Sequence, residues 1–155
     1  ALALAYDLND QDRRAIEEYE AAAALAPLNA SIQRRLGLLY FRTGNFRQAA
    51  EAFQRLLQLK PESPDIFFLL GTAYFRLNQY PRAIEAYQRT LELGSDDPRV
   101  YFNLGAAYER SGKFDRAVEN FEEAIELDPR EALDIDPEVI YQEGTVVADP
   151  LESPA

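Results

Sequence analysis

Three arginines stand 34 residues apart in this chain: Arg42, Arg76 and Arg110. Four phenylalanines keep them company, Phe41, Phe68, Phe75 and Phe102. A guanidinium can grip a carboxylate with two hydrogen bonds, and a phenyl ring gives an apolar side chain a flat surface to rest on. Such residues hold an acidic and apolar peptide; they do not break bonds. Residues for bond-breaking are scarce. The sequence has no His and no Cys, which leaves no imidazole base, thiol nucleophile, disulfide or soft metal site. The paired acids Asp96 and Asp97 precede a proline at a helix start, where carboxylates serve capping. Glu122 and Glu123 are neighbours on a helix and point apart. No glycine-rich loop follows a strand pattern. The expectation is a protein that is not an enzyme, with no cofactor and no metal.

The chain has 155 residues, enough for one domain with a core, and 47% of them are hydrophobic. No apolar run approaches the roughly 18 residues of a membrane helix. Net charge is −11, and it is unevenly spread. Residues 131–155 hold seven acids and no base, against 20 acids and 16 bases in residues 1–130. An acidic chain is repelled by phosphate backbones and anionic membrane surfaces, so nucleic acid is not expected as a partner, and without an apolar run of that length neither is membrane insertion. The absence of Cys suits any redox compartment and leaves localisation unassigned.

The 34-residue spacing organises most of the sequence. Gly37, Gly71 and Gly105 repeat at that interval inside Leu36-Gly37-Leu38-Leu39-Tyr40, Leu70-Gly71-Thr72-Ala73-Tyr74 and Leu104-Gly105-Ala106-Ala107-Tyr108. Tyr6, Tyr40, Tyr74 and Tyr108 form one column, and Ala15, Ala49, Ala83 and Ala117 another. Tyr19, Phe53, Tyr87 and Phe121 make a third; Pro27, Pro61 and Pro129 make a fourth, broken by Ser95. Gln33, Leu36, Gly37 and Tyr40 share one helical face, as do Ala49, Phe53 and Leu56. Small residues mark where two antiparallel helices cross closely, and aromatics fill the space beside the crossing. Thr43-Gly44-Asn45 and Ser111-Gly112-Lys113 are short turns, with Asn78 and Asp10 at the equivalent positions. Ser63-Pro64 and Asp97-Pro98 read as an N-cap followed by a first-turn proline, and Gly94 as a helix stop. Helices are expected at about 1–8, 12–26, 30–43, 46–59, 64–77, 80–93, 98–111 and 114–127.

These columns, from Leu-Gly-x-x-Tyr through Ala-x-x-x-aromatic to the closing proline, resemble the tetratricopeptide repeat family over about residues 1–129. The resemblance implies an all-α fold, an α-solenoid of stacked antiparallel helix hairpins coiled into a right-handed superhelix. The expected units are a partial first repeat over 1–29, then 30–63, 64–97 and 98–129. Residues 130–155 leave the frame and read as an acidic capping segment and extended tail. Leu133, Ile135, Val139, Ile140 and Tyr141 are candidates to cover the last repeat. A short helix near 137–143, stopped at Gly144, fits the sequence there. Because Ala1 falls inside a repeat, it reads as a cut or processed end with more chain upstream.

The first helix of each pair carries a second stripe, about 100° round from the core stripe. It comprises Arg34, Leu38, Phe41 and Arg42; then Phe68, Thr72, Phe75 and Arg76; then Phe102, Ala106, Glu109 and Arg110, and of these all but Glu109, together with Asn103, are the candidate peptide-binding residues. In the resembling family this is the concave face. The reading is a protein–protein interaction scaffold or adaptor that binds a peptide segment with apolar and acidic residues in this groove. The partner is another protein or peptide, with the chain's own tail and a neighbouring copy among the candidates. A structural array that self-associates through its ends or tail is the alternative function. Glu17, Glu51, Glu85 and Glu119 read as a solvated outer face, with i, i+4 pairs from Glu51 to Arg55 and Glu85 to Arg89. Some family members clamp a C-terminal acid with Lys, Asn and Arg. Here Leu38 and Leu69 occupy the asparagine columns, and only Asn103 and Arg99 match, so that clamp is not expected.

Overall fold

The computed structural model describes residues 2–130 of the chain. Among these residues seven α-helices run in order: α1 (Leu2–Leu25), α2 (Ala30–Arg42), α3 (Phe46–Leu59), α4 (Pro64–Arg76), α5 (Tyr80–Glu92), α6 (Pro98–Arg110) and α7 (Phe114–Leu127). No strand occurs among the described residues. From α2 onward each helix matches its sequence expectation to within a residue or so.

The turns explain the boundaries. Gly44, Asn78 and Gly112 have φ of 79°, 58° and 74°, the left-handed conformation that ends a helix. In each case the next amide reaches back to the last buried turn: Asn45 N to Tyr40 O at 2.8 Å, Gln79 N to Tyr74 O at 2.9 Å and Lys113 N to Tyr108 O at 2.9 Å. Gly94 closes α5 in the same way, with φ 90°. At the N-termini, the Asp97 carboxylate accepts from the Arg99 amide at 2.9 Å, and the Asn29 side chain accepts from the Ile32 amide at 3.2 Å. Ser63 holds the N-cap position without a side-chain cap; its hydroxyl donates instead to the Lys60 carbonyl at 3.2 Å.

The expected turn at Asp10 is absent. Residues 2–25 form one helix, not two. Asp10 stands where Gly44, Asn78 and Gly112 turn the chain, and an aspartate adopts the left-handed conformation less readily than Gly or Asn. With no residue to force the reversal, the helix runs through. The side chain of Tyr6, first member of its column, lies outside the described residues, as do the cover and tail expected over residues 131–155.

The hairpins are α2–α3, α4–α5 and α6–α7, and each second helix packs on the next first helix, α3 on α4 and α5 on α6. At every hairpin a glycine faces an aromatic ring. A Cβ on Gly37 would lie 2.7 Å from the Phe53 ring, one on Gly71 2.8 Å from Tyr87, and one on Gly105 2.8 Å from Phe121. Side chains at these positions would drive the helices apart, so the glycine column sets the hairpin spacing. Phe53, Tyr87, Ile66 and Val100 are almost wholly buried, and the alanine columns pack beside them.

Candidate peptide-binding face

The twelve expected site residues come from α2, α4 and α6, the first helices of the three complete hairpins. None of the twelve is fully buried. Arg34, Leu38, Arg42, Arg76 and Arg110 are exposed, whereas Phe41, Phe68, Thr72, Phe75, Phe102, Asn103 and Ala106 are half-buried. The stripe is therefore accessible along its length, one residue round from the buried positions Gln33, Leu36 and Gly37 on α2.

Every phenylalanine in the stripe rests on an aromatic of its own hairpin. Phe41 meets Phe46 edge-on, with ring centroids 5.3 Å apart, and Phe53 at 6.5 Å. Phe68 lies 5.9 Å from Tyr87, Phe75 5.4 Å from Tyr80, and Phe102 5.3 Å from Phe121. One side of each ring is thus fixed by packing, while the rest remains open to solvent.

The polar groups tie neighbouring repeats together. Arg42 on α2 pairs with Asp12 on α1. Arg76 on α4 sets its guanidinium 4.8 Å above the Phe46 ring on α3. Asp12 and Phe46 occupy the same column 34 residues apart, so both arginines reach back to one position of the preceding repeat. Arg34 bridges α2 to Asp65 at the start of α4, at 2.8 Å. Arg99 covers Phe68 at 5.8 Å and forms a bidentate pair with Asp97. That pairing holds the Asp97 carboxyl below the usual carboxylate range. The guanidiniums are thus held in place at the edge of the stripe, some already engaged with groups of this chain.

Thr72 and Asn103 of the stripe meet at the buried Tyr87 beneath it. The Tyr87 hydroxyl, on an almost wholly buried side chain, donates to Thr72 Oγ at 3.1 Å and also engages Asn103. Burial pushes the Tyr87 phenol up to about 12, against the lowering effect of those two hydrogen bonds. Thr72 and Asn103 therefore fasten α4 and α6 over α5.

The glutamate column differs in detail from its expectation. Glu17, Glu51, Glu85 and Glu119 are exposed, as expected. Arg89 pairs with Glu92 at 2.9 Å, not with Glu85, and no Glu51–Arg55 bridge forms. A depression of about 480 Å³ lies along the α4–α5 seam, lined by residues that include Phe67, Tyr74, Arg82 and Gln88. None of the twelve stripe residues lines it. Among the described residues no group of three or more His, Cys, Asp or Glu could hold a metal ion, and no helix is long and apolar enough to cross a membrane.

Sequence reasoning missed one recurring contact. The Tyr40 hydroxyl donates to the Glu20 carboxylate, the Gln54 amide donates to the Tyr74 oxygen, and the Gln88 amide donates to the Tyr108 oxygen at 2.8 Å. Each bond joins a helix to the first helix of the next repeat. The available signal was the column Glu20, Gln54 and Gln88, polar at the same 34-residue spacing as the tyrosines. Burial and the Glu20 bond raise the Tyr40 phenol to about 12.

Residues 37–78 match a family model of the TPR repeat, and residues 68–132 match a second, described as the tetratricopeptide repeat. The chain belongs to the tetratricopeptide repeat family. Its similar solved structures include "MamA MSR-1 C2", 28% identical with a TM-score of 0.74 over 84% of this chain and 75% of that one. A structure titled "Crystal structure of MamA" is 25% identical, TM-score 0.74, over 86% and 85%. MamA residues 41 to the end from Desulfovibrio magneticus RS-1 are 25% identical, TM-score 0.73, over 84% and 72%. No curated protein sequence matches the chain. The tetratricopeptide repeats and these neighbours mark the protein as an interaction scaffold.

Proposed function

We propose that this tetratricopeptide repeat protein is an adaptor that binds a peptide segment bearing apolar and acidic residues along the faces of α2, α4 and α6. The observation that carries the reading is the state of the stripe: four half-buried phenylalanines and an exposed Leu38 sit beside exposed Arg34, Arg42, Arg76 and Arg110. Rings fixed on one side lose little side-chain entropy on binding, so their open surface is pre-organised for an apolar anchor. Guanidiniums already positioned at the edge can exchange an exposed intramolecular partner for a peptide carboxylate at small cost, since exposed ion pairs are worth about 0–1 kcal/mol. In this reading the repeats span 1–29, 30–63, 64–97 and 98–129, and a right-handed superhelical turn makes the stripe concave. No catalytic role is assigned to any residue.

The test is capture of partners from the native cell, with wild-type protein compared with a Phe75→Ala, Arg76→Glu variant. Partners held through the stripe should be lost from the variant while both proteins melt within a few degrees of each other. Equal recovery by the two would remove the stripe as the binding face. Self-association through the array's end is the competing reading, favoured by the exposed apolar residues on α7. Sedimentation across concentration separates them: the adaptor stays monomeric, whereas the self-assembling array grows.

A further inference from the structure

Arg42 and Arg76 occupy one column of the stripe, yet they meet different partners. Arg42 reaches back to Asp12 on α1, its Nε and Nη2 donating to the two carboxylate oxygens. Arg76 reaches back to Phe46, the first residue of α3, and lies 4.8 Å above the ring. Asp12 and Phe46 themselves share a column. From one repeat to the next, a ring has replaced a carboxylate as the partner of the same guanidinium.

The replacement changes what each arginine can do. The Asp12 side chain is only 19% exposed, and a carboxylate left there without its cation would be poorly solvated, so Arg42 stays with it. Arg34 is likewise paired, with Asp65. Arg76 is exposed and makes no ion pair among the described residues. A ring attracts the cation through its quadrupole and leaves the guanidinium N–H donors unspent. Arg76 is therefore held in place with its donors available, which is what a bidentate bond to a carboxylate requires. Phe46 also meets Phe41 edge-on, centroids 5.3 Å apart, so an apolar surface of the stripe adjoins the same ring.

We infer that Arg76, positioned by Phe46, is the residue that reads an acid in the bound segment, and that the segment carries Glu or Asp two residues from a large apolar side chain. Alternate side chains of an extended peptide stand about 7 Å apart on one side, a spacing that bridges the Phe46 ring from Phe41 to Arg76. Phe46 lies outside the twelve stripe residues and acts through Arg76, as a positioning residue. The inference rests on the stripe being the binding face; it adds which of the cations discriminates and what sequence the segment must have.

Fluorescence anisotropy on the full chain tests this, with two labelled decapeptides of Ser and Leu. They are identical but for a central Glu or Gln, with Leu two residues to either side. Wild-type protein should bind the Glu peptide at least about fivefold more tightly, although the chain's net charge of −11 works against it. Arg76→Gln should bring the two affinities to within about twofold, whereas Arg42→Gln should keep most of the preference. Phe46→Leu should lose the preference while still binding the Gln peptide, and Phe46→Tyr, which keeps the ring, should retain it. A preference that survives Arg76→Gln or Phe46→Leu would overturn the inference, as would one lost equally in Arg42→Gln. Two peptides bound alike by the wild type would overturn it too, and would leave the stripe as the binding face. Binding of neither peptide would remove both the inference and that reading of the stripe.

Discussion

Tyr87 shows how one side chain couples core and surface. Its ring fills the space left by Gly71 and supports Phe68, while its hydroxyl holds Thr72 and Asn103 of two successive first helices. Tyr87→Phe keeps the ring and removes the hydroxyl, so the expected loss is about 0.5–1.5 kcal/mol at neutral pH. The phenol also predicts a pH effect. Its folded value is about 12 against an ordinary 10, so the folded state keeps the proton where the unfolded chain gives it up. That stabilisation is complete below pH 10 and is lost as pH rises towards 12; Tyr40, also raised to about 12, acts in the same direction. Thermal melts between pH 8 and 12 should therefore fall on the alkaline side, and less steeply in Tyr87→Phe. An identical alkaline slope in the variant would count against the buried hydroxyl.

Among the elements, the hairpins were legible because each signal was local and repeated. Glycine at the crossing, an aromatic sixteen residues later and a left-handed turn between them occur within one 34-residue unit. Gly71→Leu should thus overpack the α4–α5 crossing and cost on the order of 1–3 kcal/mol, measured by denaturant or thermal melts. An unchanged midpoint would contradict the 2.8 Å approach of Tyr87. The first helix pair was misread for the converse reason. The columns continue through Tyr6 and Ala15, but the turn rests on one residue, and Asp10 lacks the conformational freedom of Gly44. A periodic face says where helices pack, whereas the reversal depends on a single dihedral. Among the stripe residues, exposure was readable from helical phase. The partners were not: Arg42 with Asp12 and Arg76 over Phe46 depend on which long side chains from neighbouring repeats meet, and residue spacing does not encode that.

Over the whole molecule, stability is a chain of nearest-neighbour contacts, because each repeat touches mainly the ones beside it. The Gln54–Tyr74 and Gln88–Tyr108 bonds lie at those junctions. Gln88→Leu should cost about 1 kcal/mol and uncouple the last hairpin first, seen as faster hydrogen exchange in α6 and α7 than in α2 and α3. Uniform loss across all helices would mean that the array unfolds as one unit. The same repeat sets Arg42, Arg76 and Arg110 in one exposed column and Glu17, Glu51, Glu85 and Glu119 in another, and the proposed binding depends on that asymmetry. The most direct test is a fluorescence-anisotropy titration with a labelled decapeptide alternating Leu or Phe with Glu, at low and high salt. Arg42→Glu, Arg76→Glu and Arg110→Glu combined should weaken binding by at least about tenfold, the equivalent of 1.4 kcal/mol, and flatten its salt dependence. Glu51→Lys with Glu85→Lys should leave both nearly unchanged. Equal affinities for the two variants, whatever their value, would contradict the assignment of the first-helix face as the binding surface.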